Sequence, residues 1–142
     1  MMISTRGRYA LRVLIDLAEN NQGKYIPMKD VAQRQEISLK YLERIMPLLI
    51  KGKLIEGAHG KGGGYRLTRE PNDYKVGEIL RLTEGNLAPV SCLECNAEPC
   101  VRKAQCRTYE MWKKFYDITN DYFDGITIAD LMKTPLPIDY VI

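Results

Sequence analysis

A chain of 142 residues, 45% of them hydrophobic, suits one domain, or a small domain with an added element, and can bury a core without covalent staples. No cationic start precedes an apolar run, and no stretch approaches the roughly 18 apolar residues that span a bilayer, so neither a secretory leader nor a membrane partner is expected and the chain is placed in the cytoplasm. The net charge of +3 is uneven: residues 1–70 hold 13 Lys or Arg against 7 Asp or Glu, and residues 71–142 hold 8 against 11. The basic front half reads either as a polyanion-binding surface or as a solvated basic one.

In chain order, Ala10, Leu14, Leu17 and Ala18 recur at helical spacing, with Leu11 and Ile15 beside them. Ser4 or Thr5 can cap this first helix, and Asn20, Asn21 and Gly23 stop it after about four turns. Pro27 can open a short second helix over 28–35 from its first position, where its missing amide hydrogen costs nothing. Ser38 is a good N-cap for a third helix that uses Leu39, Leu42, Ile45, Met46 and Leu49 and stops at Gly52. Pro47 lies inside that pattern, so a kink or an early end is expected there.

Two short apolar segments, Leu54-Ile55 and Tyr65 to Leu67, flank a loop with five glycines from Gly57 to Gly64, which predicts a β-hairpin with a long tip. A phosphate-cradling loop is disfavoured, because no Gly-Lys-Ser/Thr opens a helix after it. Val76 to Glu84 predicts a fourth helix capped by Gly85. Tyr109 to Asp124 predicts a long amphipathic helix that carries six of the twelve aromatic residues: Tyr109, Trp112, Phe115, Tyr116, Tyr122 and Phe123. Six is more than one face against a small core needs, and the surplus suggests a partner subunit. Thr127 with Asp130 resembles a capping box for a last short helix ending near Met132, and Pro135 and Pro137 leave an extended tail.

Between the fourth and fifth helices, Cys92, Cys95, Cys100 and Cys106 fall within fifteen residues, spaced C-x2-C-x4-C-x5-C. In a reducing compartment such clusters are more often metal ligands or redox thiols than disulfides. Four thiolates suit an iron–sulfur cluster and equally a closed tetrahedral zinc site. Cys92-x-x-Cys95 could also close a redox disulfide, although no helix begins there to activate the thiol. Zinc, or no ligand at all, therefore stays open beside the cluster.

Three helices followed by a hairpin is the element order of a winged helix-turn-helix, so the fold class expected is mainly α with a small β-hairpin wing and a long C-terminal helix. The turns of the third helix that begin at Ser38 would enter the major groove, presenting Lys40, Tyr41, Glu43 and Arg44 to base edges. A glycine-rich tip with His59, Lys61, Gly62 and Gly63 could approach the minor groove, and Arg6, Arg8 and Arg12 are natural phosphate anchors.

Through MISTRGRYAL, ISLKYLERIM and GKGGGYRLTREP, and in the cysteine loop, long helix and ITIADL segment after them, the chain resembles a family of bacterial winged-helix repressors. That family includes the iron–sulfur cluster regulator IscR, the nitric-oxide-sensing repressor NsrR and the cysteine-metabolism repressor CymR. The resemblance implies a homodimer, joined by the long helix, on a pseudo-palindromic double-stranded operator. It also implies DNA contacts at Lys40, Tyr41 and Glu43 and around 59–64, where relatives often carry Arg and this chain has His59. The cluster-binding relatives hold iron and sulfur with three loop cysteines, which fits Cys100 and Cys106 with either Cys92 or Cys95. Where IscR completes the set with histidine, this chain has Tyr109, and where some relatives recruit a carboxylate it has Arg8. Four thiolates are then the simplest set, with 2Fe–2S favoured over 4Fe–4S. The organisation expected is a DNA-binding domain over 1–84, a sensing loop over 85–107, and a dimerisation helix with its tail over 108–142.

Overall fold

The computed structural model describes residues 2–21, 23–94 and 97–133. Cys95 and the tail with Pro135 and Pro137 lie outside them. Among the described residues, six α-helices and one hairpin follow in the order α1 (Thr5–Glu19), α2 (Met28–Gln35), α3 (Leu39–Lys51), β1 (Ile55–Ala58), β2 (Gly64–Leu67), α4 (Val76–Glu84), α5 (Tyr109–Asp124) and α6 (Ile128–Leu131). Among the described residues no helix is long and apolar enough to cross a membrane.

Capping chemistry fixes the helix starts. The Ser4 and Ser38 hydroxyls accept from the Gly7 and Tyr41 amides, and Thr127 and Asp130 form a reciprocal capping box. Pro27 stands at the N-cap of α2, one place before the position expected of it. Helix α3 runs unbroken through Pro47 to Lys51, correcting the early end expected there. The proline ring faces solvent, and only one intrahelical hydrogen bond is lost. Burial of Leu42, Ile45, Met46 and Leu49 along one stripe holds the helix on both sides of it.

The main core is built from α1, α2, α3 and the hairpin base, with Val13, Leu14, Leu17, Val31, Leu42, Ile45, Leu49 and Leu54 all buried. Asp16 is also buried, and its carboxylate accepts from Arg34 Nε (3.0 Å) and Nη2 (2.7 Å) and from Gln35 Nε2 (2.9 Å). A buried carboxylate is tolerated because it is paired and hydrogen-bonded, and here it locks α1 to α2.

Strands β1 and β2 pair antiparallel, Ile55 opposite Leu67 and Ala58 opposite Gly64. A third extended segment joins them through an isolated bridge between Ile26 and Tyr65, with both N–H···O bonds at 2.8 Å. The base of the hairpin rests on Tyr74, fully buried, whose hydroxyl donates to the Leu54 carbonyl (2.7 Å) and accepts from the Thr68 and Arg69 amides.

The chain's second half returns to this core. Lys75 and Thr127 form a further bridge, and Ile128 of α6 is fully buried in the main core. Helix α5 lies on α4, where Tyr116, Phe123 and Ile126 pack against a smaller cluster of Val76, Leu80 and Leu87. Arg81 closes this seam by donating to Asp124 Oδ1 (2.6 Å) and Asn120 Oδ1 (2.9 Å).

Candidate nucleic-acid interface and cysteine loop

The exposed start of α3 carries the side chains expected to read DNA. Lys40, Glu43 and Arg44 are exposed, and among the described residues none of them has an intramolecular ion pair. Ser38, Lys40, Tyr41 and Arg44 line one shallow hollow. The Ser38 hydroxyl is engaged in capping, accepting from the Tyr41 amide at 3.1 Å. Tyr41 is half-buried, its ring set edge-on to Tyr9 of α1 with centroids 5.4 Å apart.

At the wing tip, His59 and Lys61 are exposed, and Gly60 and Gly62 hold φ values of 86° and 80° that other residues rarely adopt. A side chain at Gly63 would overlap the Ala58 carbonyl, so the tight tip depends on glycine there too. The three arginines of α1 differ in what they are free to do. Arg8 is exposed and donates to Thr5 Oγ1 (3.0 Å) on its own helix, whereas Arg6 Nε donates to the Thr83 carbonyl (2.8 Å) at the end of α4. Arg12 donates from Nε to Gln35 Oε1 (3.2 Å) and from Nη2 to the Gln35 carbonyl, so a phosphate contact would have to compete with those bonds.

Among the described residues, the loop from α4 to α5 is irregular apart from two short 3-10 turns, Ser91–Leu93 and Lys103–Gln105. Cys92, Cys100 and Cys106 are free and exposed. Successive turns, from the Lys103 amide to the Cys100 carbonyl and from the Cys106 amide to the Lys103 carbonyl, bring Cys100 and Cys106 to one hollow with Arg102, Gln105, Arg107 and Thr108. Among the described residues no three His, Cys, Asp or Glu side chains converge on one metal position. Tyr109 is half-buried, with Lys103 Nζ 5.0 Å from its ring centre.

The Cys106 thiol is held below its ordinary pKa, chiefly by its hydrogen bond with Thr108 Oγ1 at 3.5 Å, then by the Thr108 amide. A lowered pKa enriches the thiolate, the form that ligates metals and reacts with electrophiles. In reduced, chelator-treated protein, Thr108→Val should therefore move the midpoint of Cys106 alkylation by iodoacetamide to higher pH. Peptide mass mapping across a pH series checks this, and an unmoved midpoint would discount the hydroxyl's role.

Sequence reasoning missed Tyr9 and the Ile26 bridge. The first leaves no periodic signal, because Tyr9 flanks the buried stripe of α1. The second had a faint one in the extended Tyr25-Ile26-Pro27 that precedes α2.

A family model described as "Rrf2: Iron-dependent Transcriptional regulator" matches residues 3–134. The chain belongs to the Rrf2 family. This Rrf2-family chain is 38% identical over 133 residues to protein rrf2 of Nitratidesulfovibrio vulgaris, covering 94% of the chain and 88% of that protein. It is 32% identical over 132 residues to the HTH-type transcriptional regulator IscR of Aliivibrio salmonicida, covering 93% and 77%. Its fold matches CymR (YrzC), described as the global cysteine regulator of B. subtilis, with a TM-score of 0.74 at 34% identity over 92% of the chain and 95% of that structure. The chain is thus a DNA-binding transcription regulator with a winged-helix fold, and not an enzyme.

Proposed function

We propose that the chain acts as a homodimeric repressor on a pseudo-palindromic operator and senses redox, nitric oxide or iron–sulfur status through an iron–sulfur cluster held by the cysteine loop. The observation that carries the reading of DNA is the start of α3, where Lys40, Glu43 and Arg44 stand exposed and free of ion pairs among the described residues. Arg can bond guanine bidentately and Glu can accept from cytosine, so this edge is chemically able to discriminate sequences. Dimerisation is supported by Met111, Phe115, Ile118 and Tyr122, large apolar side chains left exposed along α5.

The donor set fits a cluster. Three described thiols are free and exposed, one of them inclined to ionise, and Arg102 and Arg107 beside Cys100 and Cys106 would offset the negative charge of several thiolates. Because these thiols do not converge among the described residues, ligation would reorder the stretch from Cys92 to Cys106. A bound cluster would supply a centre that reacts with oxidants and nitric oxide. The protein's part is to transmit that reordering to the spacing of two recognition helices, and a tenfold change in operator affinity needs about 1.4 kcal/mol of differential binding.

Anaerobic purification tests the loop. Brown protein with iron and acid-labile sulfide is expected, and Cys100→Ala or Cys106→Ala should abolish both, while colourless protein with stoichiometric zinc would overturn the cluster. Duplex titration tests the DNA reading, with affinity expected to fall by about a thousandfold or more between roughly 50 and 200 mM salt. No binding to any promoter-length duplex, with or without metal, would point instead to a protein-interaction or redox module.

A further inference from the structure

We propose that Tyr9 on α1 is a positioning residue for sequence discrimination, fixing the ring of Tyr41 so that the start of α3 reads one base sequence in preference to others. The inference rests on the DNA reading proposed for α3. The Tyr9 and Tyr41 rings meet edge to face, 5.4 Å between centroids and 75° between planes. This is a favoured aromatic geometry, and it restrains a side chain that on a helix's first turn would otherwise sample several rotamers.

Tyr9 is itself held by a second contact. The Arg12 guanidinium lies 5.1 Å from its ring centre, in cation–π range. Arg12 is tied by its Nε to Gln35 Oε1, and Gln35 Nε2 donates to the buried carboxylate of Asp16. One set of contacts therefore runs from a buried anchor between α1 and α2, through Arg12 and Tyr9, to an aromatic ring on the reading edge. A side chain placed to contact DNA gives base specificity only if its geometry is fixed before the duplex arrives, and this arrangement fixes Tyr41. Tyr9 is half-buried and already engaged by Tyr41 and Arg12, so its own part is support, not base contact.

The test uses duplexes selected by the wild-type protein from a random-core pool, with a scrambled duplex as reference. Tyr9→Phe keeps the edge-to-face pair and should retain wild-type selectivity. Tyr9→Leu should lose about tenfold in affinity for the selected duplex, with affinity for the scrambled duplex and the salt slope unchanged. In a Tyr41→Leu background, Tyr9→Leu should add no further loss, because the ring it positions is gone. A folded Tyr9→Leu protein with unchanged selectivity overturns the proposal. So does an equal loss on both duplexes, which a merely structural role predicts, and so does a Tyr9→Phe loss as large as that of Tyr9→Leu. If Tyr9→Leu fails to fold, Arg12→Met should lower selectivity by about threefold in the same direction, and no change there also overturns it. A wild-type protein that selects no duplex removes the DNA reading itself, an outcome distinct from a selective wild type with an equally selective Tyr9→Leu.

Discussion

Ile118→Glu is expected to convert the proposed dimer into a monomer and to weaken operator binding by about a hundredfold or more, because one winged helix then holds only one half-site. Helix α5 presents two apolar faces. One, with Tyr116 and Phe123, packs against Val76, Leu80 and Leu87, while Thr119 between them is buried. The other is uncovered: Met111, Phe115, Ile118 and Tyr122 are 53%, 43%, 56% and 64% exposed. Their spacing of four, three and four residues is that of the a and d positions of a coiled-coil seam. Four large apolar side chains in a row are a surface that a soluble monomer rarely leaves in water.

Ile118 sits mid-stripe, so a carboxylate there would have to be stripped of water without a partner before the seam could close. The adjoining Lys113–Asp117 pair is solvent-exposed at 3.0 Å and screened by water, which makes Lys113→Ala a fitting control that stays dimeric. Light-scattering mass and duplex titration read both effects. An Ile118→Glu protein that stays dimeric, or a wild type that is monomeric at micromolar concentration, would remove α5 as the seam.

What the sequence made legible was local. Helix bounds followed from caps and periodicity, so Ser4, Ser38, Thr127 and the glycine at 85 marked ends that the structure keeps. The winged-helix order was readable for the same reason, and two of the aromatics on α5, Phe115 and Tyr122, lie in the stripe left exposed. Pro47 misled because propensity counts the lost hydrogen bond and not the buried stripe that outweighs it.

Tertiary placements carried no local signal. Asp16 between Ile15 and Leu17 gives no hint that Arg34 and Gln35 will cover it, since the pairing depends on how α1 crosses α2. Nor does Tyr9 announce Tyr41, thirty-two positions away. The cysteine spacing marked candidate donors, but whether loop side chains meet depends on loop conformation, which residue spacing does not determine. Among the described residues it brings Cys100 and Cys106 to one hollow, with Cys92 not among its lining residues. The short helix expected after the long one is present, but that it sends Ile128 back into the main core is an interaction only the folded chain reveals.

Gly64→Ala should cost about 3–5 kcal/mol, a large share of the stability of a small domain. Two independent penalties meet at this residue. Its φ of 146° lies where only glycine is at ease, and a Cβ there would overlap the Ile26 carbonyl and crowd the Pro27 nitrogen. Neither obstacle can swing aside as a side chain could, because both are backbone atoms of the one peptide group whose carbonyl accepts in the Ile26–Tyr65 bridge, which carries two 2.8 Å hydrogen bonds. Relief requires that bridge to open, which would free the wing from the segment leading into α2. Gly60 separates the two penalties, since its φ of 86° is also unfavourable but no atom lies within 4 Å of where its Cβ would be. Gly60→Ala should therefore cost only about 1 kcal/mol, the conformational part alone. Urea unfolding of the two variants beside wild type measures the difference, and equal losses would show that strain alone, without the close approach of Ile26, governs glycine in this wing.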